Sequence, residues 1–88
     1  MTITWTASNN SSFLDGCREA SSIAAAVRAA RRYIRYELYG EGKATIFEDG
    51  NPVRQDECGI HTKYRWETRT DFCPLQPARF AGRIEERT

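Results

Sequence analysis

The segment from Ser22 to Tyr39 carries the strongest structural pattern in this sequence. Apolar residues recur there at steps of three and four, which is the spacing of one face of an α-helix. The recurring residues are Ile23, Val27, Ala30, Ile34 and Leu38. Ser21 or Ser22 can cap the start of this helix with its hydroxyl, and Gly40 can adopt the left-handed conformation that ends it. The pattern predicts one amphipathic helix whose apolar stripe must be covered.

The residues that pack on the apolar stripe of this helix must belong to the same domain. The chain has 88 residues, and separate cores become typical only beyond roughly 200 residues. Hydrophobic residues make up 40% of the chain and charged residues 28%, which is the composition of an ordinary folded domain. A chain this short buries little surface, so we expect a homodimer to supplement its stability.

Two strands are predicted before the helix. Residues 2–6 alternate apolar and hydroxylated side chains, and this period of two is typical of a half-buried strand. Turn-forming residues follow at 8–11, so residues 12–18 can return as a second strand, although Gly16 weakens that pattern. Asp15 could instead cap an earlier start of the helix. The hairpin is the favoured interpretation.

A second hairpin is predicted after the helix. Residues 43–48 have the composition of a strand, and Asp49-Gly50-Asn51-Pro52 supplies turn chemistry. Because Pro52 cannot donate a backbone hydrogen bond to a ladder, the returning segment Val53–Gln55 should be an edge strand or a short one.

The last predicted strand spans residues 63–70. Its alternation places Tyr64, Trp66 and Thr68 on one face, which we expect to be buried. Pro74 and Pro77 interrupt any regular element after Asp71. The sequence therefore predicts a single α+β domain over residues 1–71 and an irregular C-terminal tail over residues 72–88. The domain has two layers, with one long helix packed on an antiparallel sheet of four or five strands in the order ββαββ.

Four arginines of the predicted helix lie outside its apolar stripe. At about 100° per residue they share an arc of about 100°, and Tyr39 projects along the same side. These residues are Arg28, Arg31, Arg32 and Arg35. Residues 21–40 hold four arginines and one glutamate, a net charge of +3, whereas residues 41–57 hold two basic and five acidic residues, a net charge of −3. The basic face predicts binding to phosphates or to an acidic protein surface; the alternative is a solvated face that neutralises the acidic hairpin.

A second basic set lies on the expected wet face of the last strand. It consists of Lys63, Arg65 and Arg69, with Glu67 among them. Sheets that bind RNA usually present aromatic rings for base stacking on the face that contacts the RNA. Here the aromatic residues of the strand alternate onto the opposite face, which weakens an RNA-binding interpretation.

Metal sites are not favoured by the sequence. A Cys₃His zinc site would have enough ligands, but structural zinc sites usually show two close ligand pairs, and only one pair is close here. The ligands in question are Cys17, Cys58, His61 and Cys73. Four acidic residues flank the second hairpin. They are interpreted as surface charge that keeps the protein soluble, rather than as ligands of a magnesium ion. They are Glu48, Asp49, Asp56 and Glu57. We therefore expect no metal and no cofactor.

The sequence shows no catalytic constellation, which favours a binding module over an enzyme. The first hypothesis is a non-enzymatic interaction module that docks on a protein partner or a nucleoprotein complex through its arginine helix face or its acidic hairpin. The rival is a nucleic-acid-binding protein that uses the same basic helix face. In its small size and its small number of α and β elements, the chain resembles phage-encoded antagonists of bacterial defence, and this resemblance implies an inhibitor or adaptor.

Location is indicated by the absence of targeting patterns. Residues 1–10 contain neither the basic segment nor the apolar core of a signal peptide. The longest apolar run, Ile23–Val27, is far shorter than the roughly 20 residues of a membrane-spanning helix. An odd number of cysteines argues against a secreted disulfide framework. The sequence therefore predicts a cytoplasmic protein that does not insert into membranes.

Overall fold

A computed structural model describes residues 1–71. The predicted tail, residues 72–88, and with it Cys73, lies outside the described residues. The described elements are β1 (Ile3–Ser8), β2 (Arg18–Ala20), α1 (Ile23–Glu37), β3 (Gly42–Glu48), β4 (Asn51–Cys58) and β5 (Glu67–Arg69), with a 3₁₀ turn at Ile60–Thr62. No helix among them is long and apolar enough to cross a membrane.

The strands form one antiparallel sheet in the order β2-β1-β3-β4-β5, and α1 packs on one face of it. Alternate residues of the central strands are buried under the helix, as the period of two requires. The buried apolar residues of the sheet are Ile3, Trp5, Ala7, Ala44 and Ile46, and those of the helix and its end are Ala26, Ala30, Ile34 and Leu38. The predicted α+β class, with one helix on an antiparallel sheet, is confirmed.

The helix begins and ends close to the predicted residues. The Ser22 hydroxyl accepts a hydrogen bond from the amide of Ala25 at 3.1 Å, which is the expected N-cap. At the other end Tyr39 and Gly40 both adopt left-handed backbone conformations, with φ of 59° and 84°. The Gly40 amide then donates to the carbonyl of Ile34 at 2.8 Å.

β3 starts immediately beneath the end of the helix, and Gly42 makes this possible. A Cβ atom at position 42 would lie 2.9 Å from the backbone oxygen of Ser8 and 3.0 Å from Cδ1 of Leu38. Both distances are too short for a normal contact, so the close approach of these segments requires glycine.

The prediction of a second strand over residues 12–18 is wrong in its bounds, since β2 spans Arg18–Ala20. After β1, the side-chain oxygen of Asn9 accepts two backbone hydrogen bonds, each of 2.8 Å, and so holds the chain in a turn. Gly16, with φ of 84°, then interrupts the extended backbone. Regular pairing with β1 therefore resumes only at Arg18.

The second hairpin is confirmed, because Glu48 pairs with Asn51 across a two-residue turn in which Asp49 and Gly50 have φ of 51° and 85°. The expectation that the returning strand is short or at an edge is wrong, since β4 has 8 residues and lies between β3 and β5. Within the described chain β5 pairs only with residues 55–57 of β4. Pro52 therefore lies outside the part of β4 that is hydrogen-bonded to β5, and its missing amide hydrogen costs no hydrogen bond there.

The last strand is shorter than predicted. Lys63 and Tyr64 have φ of 56° and 61°, and this left-handed backbone cannot continue into a strand. β5 therefore consists only of Glu67–Arg69. Tyr64 is 59% exposed rather than buried, whereas Trp66 packs half-buried against the core.

Candidate interaction surface

The face of α1 that points away from the sheet carries arginines and tyrosines. Four exposed residues at the spacing of one helix face, together with the exposed tyrosine two positions after the helix end, form what we call the arginine–tyrosine face: Arg28, Arg32, Arg35, Tyr36 and Tyr39. Its helical part extends for about 12 Å along the axis. Tyr36 is 65% exposed and Tyr39 is 92% exposed, so two large rings stand in solvent beside three guanidinium groups.

Tyr39 owes its position to the way the helix ends. Leu38, directly before it, is 1% exposed and completes the buried stripe. Tyr39 then adopts a left-handed backbone conformation, with φ of 59°, and its side chain stands almost fully in solvent.

Two arginines of this face have no intramolecular partner in the described chain. The side chains of Arg28 and Arg32 form no hydrogen bond or ion pair with any of residues 1–71. Arg35 lies over the ring of Tyr36, with its guanidinium carbon 5.6 Å from the ring centroid, an attractive cation–π contact. The planar guanidinium groups of Arg28 and Arg32 keep all their donors for an external carboxylate or phosphate.

Arg31, the remaining arginine of the predicted set, turns toward the sheet. Its Nε donates to Oδ2 of Asp56 at 2.7 Å, and its guanidinium carbon lies 4.7 Å from the ring centroid of Trp66. Asp56 is 1% exposed and also accepts from Nε of Arg54 at 3.0 Å. Arg31 therefore links α1 to β4 and to the segment before β5, while the other predicted residues of the helix lie together on the outside.

Asp56 is ionised in spite of its burial. Burial opposes ionisation, but hydrogen bonds from Arg54, Arg31 and Thr68 outweigh it and hold the pKa of this carboxyl below its ordinary value. Sequence reasoning treated Asp56 as solubilising turn charge and missed this role. The available signal was the position of Arg31 at the margin of the apolar stripe, where an inward-facing arginine needs a buried acidic partner.

The second predicted basic set is not gathered on one strand face. Lys63 and Arg65 are exposed but precede β5, and only Arg69 lies within it. Arg69 donates to the exposed carboxylate of Asp71 at 2.8 Å.

A polar concavity of about 500 Å³ lies at the end of the sheet where β3 begins and β4 ends. Its lining includes Glu41, Lys43, Glu57, Cys58 and His61. Burial raises the pKa of the Cys58 thiol, so this cysteine is protonated at neutral pH and is a poor nucleophile. Among residues 1–71, no three histidine, cysteine or acidic side chains are placed to share a metal ion.

Comparison of the chain with protein-family models, with curated proteins and with solved structures finds no match. The chemistry of the exposed residues is therefore what indicates the function.

Proposed function

We propose that this protein is a small non-enzymatic interaction module, an inhibitor or adaptor, that binds an acidic surface of a protein partner through the arginine–tyrosine face. The proposal is supported chiefly by the joint exposure of unpaired Arg28 and Arg32 with Tyr36 and Tyr39 on one side of α1. Arginine and tyrosine are enriched among the residues that contribute most to protein–protein binding. Guanidinium groups on this face would pair with partner carboxylates, and the tyrosine rings would supply the apolar contact area.

A nucleic-acid ligand is the alternative, and the charge distribution favours it less. Because Arg31 is paired with Asp56, the face offers three arginines, which can neutralise about three phosphates. The net charge of the whole chain is +1, so long-range attraction of a polyanion is weak. The exposed tyrosines, by contrast, suit a partner that has apolar as well as acidic groups.

The acidic hairpin is the weaker docking candidate. Asp56 is buried and neutralised by Arg31 and Arg54. The hairpin therefore presents less free negative charge than its composition indicates.

The proposal is tested by affinity capture from a nuclease-treated bacterial lysate with three forms of the full chain as bait. These are the wild type, the face variant Arg28→Gln/Arg32→Gln, and the control variant Lys63→Gln/Arg65→Gln, which loses the same charge elsewhere. We expect the wild type and the control to retain the same protein, and the face variant to bind it at least about 30-fold more weakly, since the loss of such a contact commonly costs about 2 kcal/mol.

Equal capture by all three baits would contradict the proposal. Recovery of nucleic acid by baits used without nuclease, with an affinity that falls at a log–log salt slope of about −3, would support the nucleic-acid alternative instead.

A further inference from the structure

The face of the sheet opposite α1 is not covered by any element of the described chain. Its side chains alternate with those buried under the helix. We call it the open sheet face; its central residues are Thr4, Thr6, Lys43, Thr45, Phe47, Gln55 and Glu57. Most of these residues are half-buried by their neighbours, whereas Lys43 is exposed. Lys43 and Glu57 also line the polar concavity at the end of the sheet.

Two rows of side chains cross this face at right angles to the strands. The strand register aligns Ser8, Lys43, Glu57 and Glu67 in one row, and Thr6, Thr45, Gln55 and Arg69 in the next. Neighbours within a row are about 4.8 Å apart, and rows on the same face are separated by about 6.7 Å.

The centre of the first row holds two opposite charges with no partner in residues 1–71. Lys43 on β3 and Glu57 on β4 are directly paired across the strands. Even so, they form no ion pair with each other or with another described residue. Both charges therefore remain available to a second molecule.

We propose that the open sheet face binds a second copy of this chain about a two-fold axis that runs parallel to the strands between β3 and β4. Rotation about such an axis places β3 of the partner subunit opposite β4, and β4 of the partner subunit opposite β3. Each residue keeps its position along the strand direction. Lys43 then meets Glu57 of the partner subunit, and the symmetric contact forms at the same time. The two unpaired charges of each subunit thus form two intermolecular ion pairs in the dimer.

The remaining contacts of this arrangement are compatible with it. Thr45 meets Gln55 of the partner subunit, and the two can exchange a hydrogen bond. Glu67 meets Ser8 of the partner subunit, so no like charges face each other. A two-fold axis perpendicular to the strands and centred on Thr45 would instead set charged Lys43 against the ring of Phe47 of the partner subunit, which leaves the charge unpaired. Sheets that pack face to face with nearly aligned strands are a common geometry.

The size of the face limits the strength of this dimer. Five strands about 4.8 Å apart and about 17 Å long give a footprint of roughly 400 Å², below the roughly 800 Å² per partner of a standard stable interface. We therefore expect a weak dimer that dissociates on dilution, and sedimentation over a range of concentrations measures its dissociation constant.

The test is sedimentation equilibrium of the full chain as wild type, Lys43→Glu, Glu57→Lys, and a 1:1 mixture of the two variants. Each variant alone places like charges opposite each other twice per dimer, so its dissociation constant should rise more than about tenfold. In the mixture every facing pair is opposite in sign, and the heterodimer should regain the wild-type affinity.

Recovery of dimerisation in the mixture would show that Lys43 contacts Glu57 of the partner subunit. A pairing of Lys43 with Glu57 inside one chain could not be restored by mixing the two variants. A monomeric wild type at millimolar concentration, variants that still dimerise, or a mixture that stays monomeric would each overturn the proposal. Loss of the dimer in Arg28→Glu would place the contact on the helix instead. If either charge variant fails to fold, as judged by circular dichroism, Thr45→Arg serves in its place and should also weaken the dimer.

Discussion

We expect Asp56→Ala to lower the free energy of unfolding by about 3 kcal/mol, which is typical when one partner of a buried ion pair is removed. The substitution leaves the guanidinium groups of Arg31 and Arg54 without the carboxylate that now accepts from both. A domain of this size is stable by only about 4–13 kcal/mol, so a large part of its stability depends on one side chain. The melting temperature should fall by about 12–24 °C in a thermal scan.

The matched control for this prediction is Asp71→Ala, which breaks the ion pair between Arg69 and Asp71 at the surface. We expect no measurable change there, because water screens an exposed pair. Equal losses in the two variants would contradict the prediction that the buried ion pairs of Asp56 contribute more to stability than the exposed pair does.

Acid should remove the contribution of Asp56. Because the pKa of this carboxyl is lower in the folded chain than in the unfolded chain, its stabilising effect is present above about pH 4 and is lost as the pH falls through the folded-state value. Asp56→Asn has no such titration. The difference in unfolding free energy between wild type and Asp56→Asn should therefore shrink below about pH 4, and a constant difference down to pH 2 would contradict this account.

We expect Ile34→Ala to lower the free energy of unfolding by about 3–4 kcal/mol, as is usual when a large aliphatic side chain is removed from a packed core. Ile34 is 0% exposed, and its Cγ1 would lie 3.5 Å from a Cβ at Gly42. The cavity would therefore open between the helix and the start of β3. Urea unfolding at a single protein concentration measures the effect without a contribution from changes in dimerisation.

Ile23→Ala is the control, because it removes the same atoms from the same apolar stripe. Ile23 is 36% exposed at the first turn of α1, and we expect its loss to cost less than about 1 kcal/mol. A loss as large as that of Ile34→Ala would mean that the first turn of α1 is packed as tightly as its middle, which would contradict this account.

If both proposals hold, the protein is bivalent. A dimer formed through the open sheet face leaves each copy of α1 on the outside, on opposite sides of the assembly. Two arginine–tyrosine faces would then be available to two partner molecules or to two sites on one partner. In the second case, binding at the first site would hold the other face close to the second site and so raise its effective concentration there. This arrangement suits an adaptor.

The helix and the second hairpin could be predicted because their signals are local. Ser22 and Gly40 mark the ends of the helix, its apolar residues have the spacing of one face, and Asp49-Gly50 specifies a tight turn. Such features depend on residues close together in the chain.

The features that sequence reasoning missed depend on distant residues or on backbone strain. The burial of Asp56 follows from Arg31, which lies 25 positions earlier in the chain. The short β5 follows from left-handed Lys63 and Tyr64, and neither residue type favours that conformation. The same reasoning placed all four helix arginines on one surface; Arg31 differs because it stands at the edge of their arc, beside the buried stripe.

The most direct test of the binding proposal is photo-crosslinking of the full chain with a photoreactive phenylalanine analogue in place of a tyrosine. Tyr39 and Tyr64 make a matched pair, since both are exposed and both have φ near +60°, but only Tyr39 belongs to the arginine–tyrosine face. In a bacterial lysate we expect the analogue at position 39 to form a protease-sensitive, nuclease-resistant adduct that is absent at position 64. Adducts of equal yield at both positions, no adduct at position 39, or adducts that nuclease removes would contradict the proposal.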